Sequence, residues 1–355
     1  MSIDILKDDI KNNKIRNLYL FYGNEEYLKK HYIDSIEKCI LSEELKALNR
    51  VVLEGKVDAR KIMDNCETLP VFSERKLVVV KNSGLFKSKK KSDEGEGKGK
   101  GKLQNDDLAS YLKNTPPYTC LVFYEAEIDK RIKVVDAIKK NGLLVEFPYQ
   151  KPAELVKWVA KVFKSYKKEI EPSTAAQLVD YGEQGMNEIL NEICKVALFM
   201  GDRTRVASGD IEKVCTKSIK SRIFDLTDAI AGGDRTRALK LLDDMVVLRE
   251  PLPKILFMIT RQFRQILEMK LLKDAHLGLE QAAAKMGITT YAAGKIFKQT
   301  QSFTVGKLKE AIVDSLEFDV AIKTGKMDDR IAAELLITKF SAVPCTLETN
   351  SVTRH

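Results

Sequence analysis

A glycine and a lysine near the start of the chain are spaced like two members of a nucleotide-binding phosphate loop. The stretch NLYLFYGNEEYLKK, residues 17–30, runs from alternating apolar residues through Gly23 into a helical pattern. A strand, a glycine loop and a helix carrying the pattern G-x-x-x-x-G-K-S/T form the arrangement that holds the phosphates of ATP. Gly23 matches the first glycine of that pattern, and Lys29 matches its lysine. The spacing therefore raises the hypothesis of an ATPase.

The other positions of this loop do not fit phosphate chemistry. Leu28 stands where the second glycine belongs, and Lys30 stands where a hydroxyl would bind Mg²⁺. Glycine is needed there so that the backbone can approach the phosphates, and the metal needs the hydroxyl oxygen. Glu25 and Glu26 add two negative charges, which repel a triphosphate. The sequence therefore predicts a degenerate, non-functional loop made of Gly23, Leu28, Lys29 and Lys30.

The remainder of the chain indicates neither metal nor cofactor chemistry. The apolar run that should carry a metal-binding carboxylate ends in Lys81 and Asn82, and the next ends in Glu125 without a second acidic partner. Without such partners, Lys29 is expected to be an ordinary lysine in an exposed first helical turn. Three histidines and six scattered cysteines share no zinc-ligand spacing. We expect no cofactor, no metal and reduced thiols.

Composition places the chain among ordinary proteins of the cytoplasm. Its 355 residues allow two or three domains, and its net charge of +9 favours a nucleic acid or an acidic partner. The first residues lack the apolar core of a signal peptide, and the apolar runs are too short to span a membrane. We therefore expect a cytoplasmic protein.

The first 150 residues alternate short apolar runs with helical patterns. The runs lie at residues 18–22, 50–55, 76–82, 119–127 and 143–149. Strands separated by helices favour a parallel sheet covered on both faces, so residues 1–150 are assigned to an α/β domain. Residues 86–102, rich in lysine and glycine, show no apolar periodicity and are predicted to form a disordered basic insertion.

The pattern after this domain is helical throughout. Residues 152–169 carry apolar side chains at helical spacing, and similar patterns continue to about residue 340. We predict a small helical domain at residues 151–216 and a helical bundle that packs against neighbours at 217–340. Residues 341–355 are predicted to be a flexible tail. The predicted fold class is α/β plus all-α.

Four phrases, in this order, resemble the delta subunits of the bacterial DNA polymerase III clamp loader. They are LYLFYGNEEYL, LPVFSERKLVVVKN, GEQGMNEILNEICKVALFMG and SRIFDLTDAIAGGDRTRALKLLDDM, and the resemblance covers about residues 15–340. It implies an AAA+-like parallel-sheet domain that neither binds nor hydrolyses ATP. It also implies that residues 151–216 form a helical lid and residues 217–340 a helical collar for oligomerisation.

The same resemblance implies partners and a binding element. Members of the family sit in a ring with ATP-binding tau or gamma subunits and a delta-prime subunit. They bind the beta sliding clamp and help to open it for loading onto primed DNA during replication. Their clamp contact is an apolar pair before the third strand, which here reads Val71-Phe72 where a leucine would give a larger wedge than valine. The predicted clamp-binding residues are Leu69, Pro70, Val71 and Phe72.

The residues themselves are compatible with this role, but they leave alternatives open. An exposed aromatic ring beside a proline suits anchoring in a partner's pocket. Alternatively, Phe72 packs inside its own domain. A working ATPase or helicase loader is a second hypothesis for the whole chain. A stand-alone DNA-binding protein that uses the basic insertion is a third, and it predicts salt-dependent binding.

Overall fold

The computed structural model describes residues 2–87, 100–182 and 185–341, of which residues 100–105 are described by their backbone alone. The described chain forms two compact units. The first contains residues up to 150 together with 185–187, and the second contains the other residues after 150. No helix in the described ranges is long and apolar enough to cross a membrane. Nor do these ranges hold a group of three or more His, Cys, Asp or Glu side chains that could bind a metal ion.

The first unit alternates helices and strands. Its helices are α1 (Ser2–Lys11), α2 (Glu26–Ile40), α3 (Lys46–Asn49), α4 (Ala59–Glu67), α5 (Lys100–Tyr111) and α6 (Lys133–Asn141). Its strands are β1 (Leu18–Tyr22), β2 (Arg50–Glu54), β3 (Lys76–Lys81), β4 (Thr119–Glu125) and β5 (Leu143–Glu146). All five predicted strands are confirmed, and four of them end one to three residues before the apolar run does.

The strands form one parallel sheet in the order β2-β3-β4-β1-β5. Every residue of β1 and β4 is buried, as expected for central strands of a sheet covered on both faces. Alternate side chains enter two hydrophobic clusters, with Leu20 and Phe123 in one and Phe21 and Val122 in the other. Tyr22 pairs with Glu125, so the carboxyl ends of β1 and β4 meet at one edge of the sheet.

The predicted insertion is shorter than residues 86–102. Phe86 is fully buried, and its ring packs edge-on against Phe123 with 5.0 Å between centroids. The expectation of a disordered segment from residue 86 is therefore wrong at its first residue, because a single aromatic ring anchors the chain in the core. At the other end, α5 begins at Lys100. The lysine-rich residues 88–99 lie outside the described part of the chain.

The second unit is mostly helical. Its helices are α7 (Pro152–Ser165), α8 (Pro172–Tyr181), α9 (Met186–Phe199, whose first two residues belong to the first unit), α10 (Ser208–Val214), α11 (Ile219–Ala231), α12 (Arg235–Val247), α13 (Leu252–Asp274), α14 (Leu279–Met286), α15 (Thr290–Gln299), α16 (Val305–Lys323) and α17 (Asp329–Phe340). Two strands, β6 (Glu169–Ile170) and β7 (Arg205–Val206), pair in parallel. The expectation of helices alone is wrong here, because two-residue strands leave no readable periodicity.

Two hydrophobic clusters form inside the second unit. One gathers side chains between Val159 and Cys215, and the other gathers side chains between Ile219 and Phe340. Ser341 follows α17, is buried, and accepts a hydrogen bond at its carbonyl from Nε of Arg235 at 3.2 Å. The predicted flexible tail is therefore wrong at its first residue, and residues 342–355 lie outside the described part of the chain.

Candidate functional site

Gly23 follows β1 at the position of the first phosphate-loop glycine. Its φ is +114°, a backbone conformation that side chains other than glycine rarely adopt. A Cβ atom at this position would lie 2.3 Å from the carbonyl oxygen of Phe147, which is closer than such atoms can approach. The glycine is therefore required by the packing of two backbone segments, with no need for a phosphate.

Backbone amides of this loop bond to the protein's own carbonyl groups. The N–H of Gly23 donates to the oxygen of Ala126 at 3.1 Å, and the N–H of Glu25 donates to the oxygen of Phe147 at 3.0 Å. A phosphate loop aims such amides at the ligand's oxygen atoms. In this chain those two donors are already occupied.

Lys29 is fully buried, so the expectation of an exposed lysine is wrong. Its amine donates to a carboxylate oxygen of Glu26 at 2.6 Å and to the backbone oxygen of Glu125 at 3.1 Å. The amine also lies 4.2 Å from the ring centroid of Tyr124, and the hydroxyl of Tyr124 donates to Glu26. Tyr124 and Glu125 lie on β4, about a hundred residues along the chain, and no local pattern reveals these two partners. The lysine amine therefore binds groups of the protein itself in place of phosphate oxygens.

Leu28 and Lys30, the two residues that depart from the phosphate-binding pattern, occupy different environments. Leu28 is half-buried and packs against the hydrophobic cluster on one sheet face. Lys30 is exposed on α2. The four predicted loop residues therefore do share one segment, and an interior contact explains three of them.

Glu125 ends β4 at the place where a metal-binding carboxylate was considered. The side chain is buried and accepts hydrogen bonds from the backbone N–H of Ser83 at 2.8 Å and from its hydroxyl at 2.6 Å. Burial raises the pKa of this carboxyl, whereas the bonds from Ser83 act in the opposite direction. Glu125 thus holds the chain that leaves β3 against the end of β4.

The 68–75 turn, which connects α4 to β3, presents apolar side chains to solvent. Phe72 is 88% exposed, Leu69 is 69% exposed and Val71 is 41% exposed, while Pro70 is half-buried. The alternative that Phe72 packs inside its own domain is therefore contradicted. The φ of Phe72 is +51°, in the left-handed region that bulky residues rarely occupy. All four residues predicted to bind the clamp lie together in this turn.

Hydrogen bonds fix the turn at three points. The amine of Lys76 donates to the carbonyl of Thr68 at 2.7 Å. The guanidinium of Arg75 donates to the carbonyl of Ile15 at 2.7 Å and to Oδ1 of Asn17 at 2.8 Å. The third point is the side chain of Asn49, which bonds to the backbone of Val71. These contacts join the turn to two distant segments, and sequence reasoning identified none of them.

A second exposed apolar surface lies in the second unit. α16 and α17 each turn large apolar side chains outwards at helical spacing, although both helices bury their opposite faces. The α16–α17 stripe consists of Val313, Leu316, Val320, Ile331 and Leu335, which are 46–61% exposed. Large apolar side chains that repeat at helical spacing and are left in water favour a surface for another protein.

Two regions of the chain match known family descriptions. Residues 19–148, which contain both the phosphate-loop position and the 68–75 turn, match "DNA polymerase III, delta subunit". Residues 220–340 match "DNA polymerase III delta subunit, C-terminal domain". The chain belongs to the DNA polymerase III delta subunit family. The resemblance predicted from the sequence phrases is thereby confirmed.

Relatives from Bacillus subtilis support the family assignment over nearly the whole chain. The DNA polymerase III subunit delta of strain 168 is 28% identical over 343 residues, which cover 95% of this chain and 96% of that protein. The solved DNA clamp loader delta protein of Bacillus subtilis is 26% identical, with a TM-score of 0.50 over 96% of this chain and 99% of that chain. The predicted fold class, an AAA+-like parallel-sheet domain followed by helical domains, is confirmed. Family membership places the chain in the clamp loader of DNA polymerase III.

Proposed function

We propose that this subunit binds the beta sliding clamp through the 68–75 turn and helps to open it for loading onto primed DNA. The observation that carries the proposal is the 88% exposure of Phe72 on a turn that is fixed from three sides. A phenylalanine ring left in water contributes little to the stability of its own domain. Buried in a partner's pocket, such an anchor typically contributes about 2 kcal/mol or more to binding.

The fixed geometry of the turn adds to this contribution. Binding by a flexible loop costs conformational entropy, and a loop that is already ordered avoids much of that cost. Lys76 and Arg75 hold both the start and the end of the turn through bonds of 2.7 Å. The apolar residues are therefore presented as a pre-formed wedge.

Opening of the clamp requires no chemistry from this subunit. A closed ring populates its open form rarely, and a ligand that binds the open form more tightly shifts the balance towards it. The wedge supplies that difference in affinity. Control by ATP would come from the tau or gamma subunits in the same ring, which decide when the wedge is accessible.

We infer that the subunit itself neither binds nor hydrolyses ATP. Support comes from Lys29, whose amine is bound by Glu26 and by the carbonyl of Glu125, and from loop amides that already have acceptors. A nucleotide would have to displace all of these contacts.

Assembly with the other loader subunits is proposed for the C-terminal helices. In the proposed division, residues 1–150 form the AAA+-like domain, 151–216 the lid and 217–340 the collar. The α16–α17 stripe supports the collar assignment, because its five apolar side chains lie outside the hydrophobic core of the same helices. Its partners in the proposal are the tau or gamma and delta-prime subunits.

A capture experiment with purified proteins tests the proposal. The tagged chain is mixed with the cognate sliding clamp, with and without the tau or gamma and delta-prime subunits. We expect the chain to retain the clamp by itself and to join a complex with the loader subunits. Failure of the isolated chain to retain the clamp, together with retention by the other subunits alone, would contradict the proposal.

A further inference from the structure

Asn49 is a buried side chain that joins the 68–75 turn to a distant segment of the chain. It is the last residue of α3 and is 2% exposed. Its Oδ1 accepts the N–H of Val71 at 2.7 Å, and its Nδ2 donates to the carbonyl of Val71 at 2.8 Å. Nδ2 also donates to the carbonyl of Leu45 at 3.1 Å, which fixes the carboxamide to the start of α3. One side chain thus satisfies both backbone groups of the residue before Phe72.

The backbone of Phe72 needs such support. A phenylalanine with φ of +51° is sterically unfavourable and persists only where the surrounding structure imposes it. Asn49 fixes the peptide groups on the N-terminal side. On the C-terminal side, the hydroxyl of Ser73 donates to the carbonyl of Arg75 at 2.9 Å. Between these two restraints, Phe72 is held in the left-handed conformation in which its ring is exposed.

We propose that Asn49 is a positioning residue of the clamp-binding turn. By bonding to both the N–H and the carbonyl of Val71, it keeps Phe72 in the conformation that an apolar pocket of the sliding clamp accepts. The inference rests on the proposed function and adds to it a residue outside the turn. Nothing in the sequence signals this role, because Asn49 and Val71 are 22 residues apart and belong to different elements.

The expected effect follows from the population of the binding-competent conformation. When that conformation is only a fraction of the ensemble, the apparent Kd rises by the inverse of the fraction. Without the carboxamide, the N–H and carbonyl of Val71 lose their partner, and Phe72 relaxes towards conformations with negative φ. We therefore expect Asn49→Ala to weaken clamp binding by at least fivefold, even though Asn49 itself is buried away from any partner.

The full-length chain is titrated calorimetrically with purified cognate clamp to test this. Asn65→Ala is the matched control, because the amide of Asn65 donates to the carbonyl of Lys61 at 2.7 Å within the neighbouring helix α4. We expect the affinity of the control to stay within twofold of the unchanged chain. Wild-type affinity for Asn49→Ala would overturn the inference. If Phe72→Ala still weakens clamp binding at least tenfold in the same series, the proposed function stands without the inference.

A double-mutant cycle separates positioning from a general loss of structure. If Asn49 acts through Phe72, the fivefold loss disappears when Asn49→Ala is made in a Phe72→Ala background. An equal loss in both backgrounds would overturn the inference. Wild-type affinity of Phe72→Ala would overturn the proposed function, and the inference would fall with it.

Hydrogen exchange and a conservative variant give readouts that a mere folding defect does not reproduce. In Asn49→Ala, the amide of Val71 should exchange at least tenfold faster, while the amides of residues 77–80 in β3 keep their protection. Asn49→Asp keeps the size of the side chain and the acceptor for the N–H of Val71, but it places a carboxylate oxygen against the carbonyls of Val71 and Leu45 in place of the amide donor. Its clamp affinity should therefore be no higher than that of Asn49→Ala. Unchanged exchange at Val71 in Asn49→Ala would overturn the inference.

Discussion

The amine of Lys29 lies 2.6 Å from a carboxylate oxygen of Glu26, one helical turn before it, and the lysine side chain is fully buried. The pair occupies the position at which an ATPase of this topology binds phosphate. The ring of Tyr124 and the carbonyl of Glu125 complete the surroundings of the amine. Contacts within the protein therefore stabilise the strand, loop and helix that would form a phosphate site in an ATPase.

Replacement of Lys29 should affect stability. Lys29→Ala removes a buried aliphatic stem and leaves the carbonyl of Glu125 without this donor, so we expect the free energy of unfolding to fall by about 2–4 kcal/mol. Lys30→Ala, at the exposed neighbouring position, should stay within about 0.5 kcal/mol of the unchanged chain. Urea unfolding of both variants measures the difference. Equal stability of Lys29→Ala and Lys30→Ala would show that the buried lysine side chain does not stabilise the fold.

The buried carboxyl of Glu125 should make stability depend on pH. Because burial raises its pKa above the unfolded value near 4.5, its contribution to stability is complete below that value and is lost as pH rises through the folded pKa. Glu125→Gln cannot ionise. The stability of this variant relative to the unchanged chain should therefore increase as pH rises from 4 to 7. Urea unfolding at several pH values tests this, and a constant difference would contradict it.

Phe72→Asn should separate stability from binding. Asparagine tolerates the left-handed conformation better than phenylalanine does, and the ring that it replaces is 88% exposed. We expect the free energy of unfolding to stay equal or to rise by up to about 1 kcal/mol, with loss of clamp binding. Thermal unfolding and clamp capture are measured on the same preparation. A marked loss of stability would mean that the ring supports its own domain.

A charge in the α16–α17 stripe should disrupt assembly with the loader subunits without affecting clamp binding. Leu316→Asp places a carboxylate in the middle of the stripe, whereas Lys307→Asp introduces the same residue at an exposed position outside it. We expect Leu316→Asp to prevent complex formation with the loader subunits at micromolar concentration and to leave clamp binding unchanged. Size-exclusion chromatography distinguishes the two variants. Normal assembly by Leu316→Asp would exclude the stripe from the interface.

Much of the fold was predictable because the strands of a parallel sheet are continuous apolar runs. The residues of β1 and β4 are all buried, so their composition alone reveals them. β6 and β7, with two residues each, are too short for any period to be read. Phe86 was assigned to the insertion because the composition of a window conceals one buried ring.

The candidate site was predictable only where neighbouring residues define it. The resemblance to the family identified the wedge as the four apolar residues before the polar SERK segment, and the exposure of Phe72 agrees with that interpretation. The partners of Lys29 on β4 and the bonds from Asn49 to Val71 depend on long-range contacts. No spacing in the sequence encodes them, so the burial of Lys29 was missed.

Phe72 is proposed to anchor this subunit in the sliding clamp. A calorimetric titration of Phe72→Ala with purified clamp tests this anchor, beside Phe257→Ala, which removes another exposed phenylalanine on α13. We expect at least tenfold weaker binding for Phe72→Ala, unchanged folding, and wild-type affinity for Phe257→Ala. Wild-type affinity for Phe72→Ala would contradict the proposed anchor.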